Sequence, residues 1–463
     1  MRNTFETEIL KRVLPSSEDV RKTEEMGARL IDAVYEVAQV PAMMTGSVAR
    51  GTWVKGDKDI DIFMLFSPEL DRESLQELGL KAAYAVVEKF HGTAAEKYAE
   101  HPYLNAVIDG YDVDLVPCYH VASTAEMKCA VDRTPFHTRY LKDKIAPLRE
   151  DVLLLKQFCK AGGVYGSDHM TGGFSGYLCE LLTLYYGGFS QVISAAVLAF
   201  RPKMVIDIEG YYSDKKTPAK LFNEPLIVID PTDKTRNVAA AVTMTKYAEF
   251  CELARAYQQH PGMQFFEIPA SKMIGRDEFV GTLQDRGTAM VALTFKTPDL
   301  VPDTIVPQLK KSVESLRSML EEVDFSVIRC GYFMGPIESM LLLELSSLNL
   351  PACMIREGPP VWNPENAAKF VEKYGKTASP LAGPWIQDGR WYTEIPRKYR
   401  SAVSLLEDSA KVFSGALGKH IRLSMEDGYK VLVNEEIWSE PVAEFLYRYL
   451  SNRSSVILKK NEC

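Results

Sequence analysis

The chain has 463 residues, 46% of them apolar and 25% charged, with a formal net charge of -8. That length exceeds one compact core and points to about two to four domains. No apolar run approaches the roughly 18 residues of a membrane span, and the acidic balance excludes a surface that binds nucleic acid everywhere, though not a local basic cleft.

The first twenty residues are charged throughout and lack the apolar stretch of a secretory leader. The eight cysteines are scattered and make no C-x-x-C pair, which fits free thiols in a reducing, cytoplasmic setting. Ser16 and Ser17 then open a pattern in which Met26, Leu30, Val34 and Ala38 recur at helical spacing. The hydroxyls suit N-caps, and Glu18 and Asp19 suit the positive helix end. A strand over 41–45, a turn over 46–57, a strand over 59–66 and a helix over about 72–90 follow. "YLNAVI" and "YDVDLVPCY" read as two strands joined by Asp109-Gly110, because both central residues of a type I′ turn need positive φ. This first α+β unit spans 1–147.

From 148 to 262 the pattern is mainly helical, and "GGFSGYLCELLTLYYGGFSQVISAAVLAF" reads as one buried helix bridging two domains. A third unit, 263–360, carries "TAMVALTF", "IVPQLKKSVESLRSMLEEV", "SVIRCGYFM" and "SMLLLELSS". Their order is β-α-β-β, part of a ferredoxin-like arrangement. The region 361–463 opens with aromatics and bases, "GPWIQDGRWYTEIPRKYRSAV", and ends in helices. The whole is expected to be a multidomain α+β protein.

The stretch "TGSVARGTWVKGDKDIDIFMLF" concentrates the chemistry. Strand alternation puts Asp59, Asp61 and Phe63 on one face and Ile60, Ile62 and Met64 on the other. Two neighbouring carboxylates repel unless a cation or proton intervenes. Hard divalent cations such as Mg²⁺ take oxygen ligands and bridge carboxylates to phosphates. Asp112 and Asp114 share a face of the later hairpin strand, and alternation alone does not choose between them. Asp114, deeper in the strand, is the better held. Gly46-Ser47 can offer backbone N–H groups and a hydroxyl to a phosphate chain, and Arg50 can add charge-assisted hydrogen bonds. Together these parts describe nucleotidyl transfer with two metals about 4 Å apart. A lone D-x-D or Gly-Ser means little. A strand, Gly-Ser, eleven residues, Asp-apolar-Asp and a later apolar-Asp-apolar is far more specific.

This conjunction resembles the nucleotidyltransferase superfamily typified by DNA polymerase β. "GSVARGTWVKGDKDIDIF", "VDLVPCY", "AVDRTPFHTRYL", "GGFSGYLCELL" and "DPTDKTRNVAAAV" are similar to the archaeal, class I CCA-adding enzymes, which are tRNA nucleotidyltransferases. The resemblance is dense over residues 1–240 and weaker beyond, to "GPWIQDGRWYTE". It implies a polymerase-β-like palm in the head (1–147), a nucleotide-selecting neck (148–262), a body (263–360) and an RNA-binding tail (361–463). It also implies a homodimer acting on the tRNA acceptor end with CTP and ATP and a two-metal Mg²⁺ site. The family can use glutamate as its first metal carboxylate, where Asp59 stands here.

The resemblance assigns Asp59, Asp61 and Asp114 as catalytic metal carboxylates, which decides against Asp112. It assigns Ser47 and Arg50 to the triphosphate, Lys156 to phosphate, and His137 and Tyr165 to the nucleotide. Each has a plainer alternative: His137 as a cap or core filler, Lys156 snorkelling among leucines, and Tyr165 as turn packing. Arg236 in "DKTRNVAAAV" would help select the base, or else pair with Asp230 or Asp233. In the tail, Arg390, Arg397, Lys398 and Arg400 sit among Trp385, Trp391, Tyr392 and Tyr399, a mixture that suits RNA backbone and stacking contacts but also a packed hairpin. A basic strip from the neck to Arg390–Arg400, facing the catalytic cleft, is the expected tRNA track. The competing functions are a poly(A) polymerase or another enzyme of the superfamily, and a non-catalytic RNA-binding protein.

Overall fold

A computed structural model describes residues 2–57, 59–98, 101–377 and 380–460. The chain gathers into two compact units, 1–270 with 453–463, and 271–452.

The first unit is built on a five-stranded sheet. Its strands are β1 (Ala42–Thr45), β2 (Asp59–Phe66), β3 (Thr93–Tyr98), β4 (Pro102–Ile108) and β5 (Tyr111–Tyr119), in the spatial order β1-β2-β5-β4-β3. Only β2 and β5 run parallel; the other neighbours are antiparallel. The β4–β5 hairpin turns through Asp109 at φ 50° and Gly110 at φ 77°, as the Asp-Gly signal requires. One sheet face packs Ile60, Ile62, Met64 and Leu115 against Leu30 and Val34 of the helix Ser17–Ala38 and Leu75 and Val86 of the helix Arg72–Lys89. Ser16 caps the first of these helices through Asp19. The segment expected to be a plain turn after β1 begins instead with a five-residue helix, Gly46–Arg50.

The region 148–262 is mainly helical, as expected, but it also holds a small sheet. Strands β6 (Met204–Asp207), β7 (Leu226–Asp230) and β8 (Asp233–Asn237) form a three-stranded sheet there. The long apolar segment is two helices, Gly176–Tyr186 and Phe189–Leu198, bent by 88°. Gly187 and Gly188, at φ 85° and 148°, make the break, because a residue with a Cβ rarely takes these angles. Phe158, Phe174, Phe189 and Phe250 fill the core they enclose. The C-terminal helix Ser455–Lys460 returns to this unit, where Ser455 donates to the Gly162 carbonyl at 2.7 Å. Among the described residues no single helix is long and apolar enough to cross a membrane.

The second unit contains β9 (Ala289–Lys296), β10 (Val327–Met334), β11 (Glu338–Leu345) and β15 (Tyr429–Val433) in the order β10-β11-β9-β15, all antiparallel. The helices Pro302–Glu321 and Lys419–Glu426 pack on one face. The expected β-α-β-β is thus completed by a distant helix and strand, which closes a ferredoxin-like βαββαβ sheet. Between them lies a smaller sheet of β12 (Cys353–Pro360), β13 (Ala382–Gln387) and β14 (Arg390–Pro396), ordered β12-β14-β13.

Candidate active site

The parallel pairing of β2 and β5 sets Asp59 opposite Asp112 and Asp61 opposite Asp114. Across the other edge of β2, Thr45 lies opposite Asp61, and Gly46 follows at φ 69°. A Cβ on Gly46 would stand 1.8 Å from Asp61 Oδ2. Glycine is therefore demanded twice here, by the backbone angle and by the carboxylate against it.

The carboxylates repel. Burial, and then the charge of Asp114, pushes Asp61 up to about 6. Loss of hydration, with Asp57 and Asp112 next, raises Asp59. Burial raises Asp114 too, although Asn105 donates to it at 2.7 Å. Asn105 also bonds Asp112, so one amide steadies both candidates that alternation could not separate. Asp112 is exposed, while Asp114 is half-buried and on the rung of Asp61.

Among the described residues no group of three or more His, Cys, Asp and Glu side chains is already drawn in around a metal position. The chemistry of the set nevertheless fits a hard divalent cation. All the donors are oxygens, their charges disfavour one another, and the Thr45 hydroxyl on the adjoining rung is buried without a partner among the described residues. A cation would relieve each of these costs.

Ser47 lies half-buried in the first turn after β1. Arg50 and Lys156, assigned to phosphate, are both buried and both face Glu180, itself fully buried. Arg50 Nε lies 3.0 Å from Glu180 Oε2. The two are not aligned for a hydrogen bond, so this contact is an ion pair. Arg50 Nη1 donates to the Thr138 hydroxyl at 3.2 Å. Lys156 Nζ donates to the Thr52 carbonyl at 2.9 Å and lies 3.7 Å from Glu180 Oε1. The Thr52 hydroxyl donates to that same oxygen. Burial works against the Glu180 charge, but Arg50 and then Lys156 outweigh it and hold the group below its usual range. Tyr165 is close by: a Cβ on Gly176 would meet its hydroxyl at 3.0 Å and Lys156 Nζ at 3.4 Å. The Lys160 ammonium, paired with Asp57 at 2.7 Å, sits 5.4 Å from the Tyr165 ring centre.

The other two assigned residues meet at Asp230, at the end of β7. Its Oδ2 faces His137 Nε2 at 2.8 Å and accepts from Arg236 Nη1 at 2.8 Å. Its Oδ1 accepts from the Thr232 backbone and hydroxyl. Burial would raise Asp230, but His137 and these donors hold it far below the carboxylate range. Burial lowers His137 against the pull of Asp230. The His137 ring stacks on Tyr177 with centroids 4.0 Å apart. Both residues line a groove of about 860 Å³ with Arg133, Ser167, Asp233 and Arg236. Of the two pairings open to Arg236, Asp230 is the one formed; Asp233 takes Arg133 at 2.9 Å.

In the second unit the four tail bases divide. Arg390 pairs with Glu357 at 2.8 Å. Arg397 is turned inward, paired with Asp324 and donating to the Cys353 and Val323 carbonyls. Lys398 and Arg400 are exposed, with the Lys398 ammonium 4.7 Å from the Tyr399 ring centre.

Glu180, Tyr177 and Asn105 were not singled out from the sequence. Glu180 had a signal: one acid within the apolar run "GYLCELL" implies a buried, paired charge.

Paired acidic strands beside a Gly-Ser turn mark the catalytic fold of a nucleotidyltransferase, and a family model described as "Nucleotidyltransferase domain" matches residues 33–137. Two further models match downstream: "tRNA nucleotidyltransferase, second domain" over 150–267 and "CCA-adding enzyme, C-terminal domain" over 286–434. The CCA-adding enzyme of Methanoregula boonei is 48% identical over 454 residues, covering 98% of this chain and 96% of that one. Those of Methanosarcina acetivorans and Methanothermobacter thermautotrophicus are 43% and 38% identical, covering 89% and 95% of this chain and the same shares of their own. The chain belongs to the family of archaeal CCA-adding enzymes.

Proposed function

We propose that this protein adds and repairs the 3′-terminal CCA of tRNA from CTP and ATP without a nucleic-acid template. The observation that carries this reading is the register of β2 on β5, which pairs Asp61 with Asp114 beside the Gly46 turn. In the reaction, the terminal 3′-hydroxyl gives its proton to solvent and its oxygen bonds to the α-phosphorus of the incoming nucleotide, the bond from that phosphorus to the α–β bridging oxygen breaks, and pyrophosphate leaves. Divalent ions held by Asp59, Asp61 and Asp114 would neutralise charge on the attacking and leaving oxygens. Mg²⁺ suits this all-oxygen donor set best.

Ser47, Arg50 and Lys156 take the triphosphate, whose charge of roughly four needs cations close by. His137 and Tyr165 seat the nucleotide. Arg236, fixed by Asp230, offers its remaining N–H donors to the base. Residues 1–147 perform the transfer and 148–262 select the nucleotide. The segments 263–360 and 361–463 hold the acceptor end, through Arg390, Lys398 and Arg400, with Arg397 shaping the surface. A homodimer working in the cytoplasm is the state we assign.

The test is CMP incorporation by single carboxylate variants. Asp59→Asn, Asp61→Asn and Asp114→Asn should each abolish it, and Asp112→Asn should retain it. If Asp112→Asn is as dead as Asp114→Asn, the site is wrongly assigned.

A further inference from the structure

The cations assigned to the triphosphate are buried, so something must balance their charge and hold them in place. Arg50 and Lys156 are 6% and 3% exposed. Two buried positive charges without a counterion would repel, and one would lose its proton or swing out. Glu180, 0% exposed, answers both. Its Oε2 faces Arg50 at 3.0 Å, and its Oε1 is shared by the Thr52 hydroxyl and Lys156 at 3.7 Å. Thr52 also fixes Lys156 through its carbonyl at 2.9 Å. Glu180 is the one charged side chain among the buried residues of its helix, which include Leu178, Leu181 and Leu182. An isolated acid there is costly unless its charge is used.

We propose that Glu180 is a positioning residue for the incoming nucleotide: it balances the charge of Arg50 and Lys156 and holds both side chains aimed, and so sets affinity for the triphosphate of CTP and ATP alike. It touches neither substrate nor metal and acts only through these two side chains. Because both nucleotides share the triphosphate, the effect is blind to the base and independent of tRNA. The inference rests on reading Arg50 and Lys156 as triphosphate contacts.

The experiment compares Glu180→Gln, Lys156→Met and the double variant, with KM for CTP, ATP and tRNA and kcat measured for each after melting curves confirm folding. Glu180→Gln keeps the shape and an acceptor for Thr52 but removes the charge. KM for CTP and ATP should rise together by about tenfold, equivalent to about 1.4 kcal/mol, with a smaller change in kcat and an unchanged KM for tRNA. In the Lys156→Met background, where only Arg50 remains to be held, the same substitution should raise nucleotide KM by much less. If Lys156→Met leaves nucleotide KM unchanged, the phosphate reading itself is lost. If Lys156→Met raises it but Glu180→Gln does not, or lowers it, Glu180 has no positioning role. A parallel rise in tRNA KM, or Glu180→Gln failing to fold while the charge-balanced double variant folds with parent nucleotide KM, also overturns the proposal.

Discussion

Replacing Gly46 by alanine tests the geometry of the carboxylate site with one methyl group. At φ 69° the new side chain meets the left-handed penalty, about 1–2 kcal/mol. Its Cβ would also fall 1.8 Å from Asp61 Oδ2, far inside the 3.4 Å at which ordinary contact begins. Asp61 or the turn must therefore retreat by more than about 1 Å, and a displacement of that size costs on the order of 100-fold in rate. Gly210→Ala supplies the control: its φ is 67° and, among the described residues, nothing lies within 4 Å of the added Cβ. In a denaturant melt Gly210→Ala should lose the left-handed penalty alone, and Gly46→Ala more, because the clash adds to it. Only Gly46→Ala should lose about 100-fold in kcat/KM for CMP incorporation, with more divalent metal needed for half-maximal rate. A folded Gly46→Ala variant with the parent rate would refute the placement of Asp61. Equal activity losses in the two variants would reduce the effect to general destabilisation.

Other outcomes follow from the same site. Asp61→Asn should abolish turnover while tRNA affinity, followed by filter binding, stays near the parent's. Because burial raises the folded Asp61 to about 6, above its ordinary value, the metal-free parent sheds stability as pH rises from about 4 to 6. Asp61→Asn should therefore melt higher than the parent at pH 7.5, the gap should close toward pH 4, and added Mg²⁺ should stabilise the parent alone. Asp230→Asn, which weakens the hold on Arg236 and His137, should cost about tenfold in discrimination of CTP over UTP, read from competing incorporation. In the second unit, Lys398→Ala with Arg400→Ala should flatten the salt dependence of tRNA binding by about one unit per phosphate contact. Arg397→Ala should instead lower the melting temperature, since its guanidinium satisfies internal carbonyls.

What could be read from the sequence was local. The two-residue alternation of "DIDIFMLF" already separates the carboxylate face from the core face, and Asp-Gly already demands the hairpin. The double glycine at 187–188 was visible too, but apolar residues on both sides made the segment look like one helix. Strands β6 to β8 are short, four or five residues each, and carry too little period to stand out among helices. Alternation leaves Asp112 and Asp114 on one face, and only the register of β5 on β2 shows which rung each occupies, Asp112 beside Asp59 and Asp114 beside Asp61. Long-range partners were hidden altogether. Glu180 is 130 positions from Arg50, and Asp230 is 93 from His137, so only the folded chain reveals that the assigned cations are held by carboxylates. The strand that closes the ferredoxin-like sheet is similarly remote from β11, beyond the β12–β14 insertion.

The measurement closest to the central claim is the 3′-end sequence of the product. Purified protein, Mg²⁺, CTP and ATP are incubated with tRNA ending at the discriminator base, and with an unstructured RNA of similar length. The expected product is tRNA extended by C, C and A and then no further, with the unstructured RNA extended far less. Long A tails, or equal extension of both RNAs, would contradict CCA addition and leave a polymerase of the same fold.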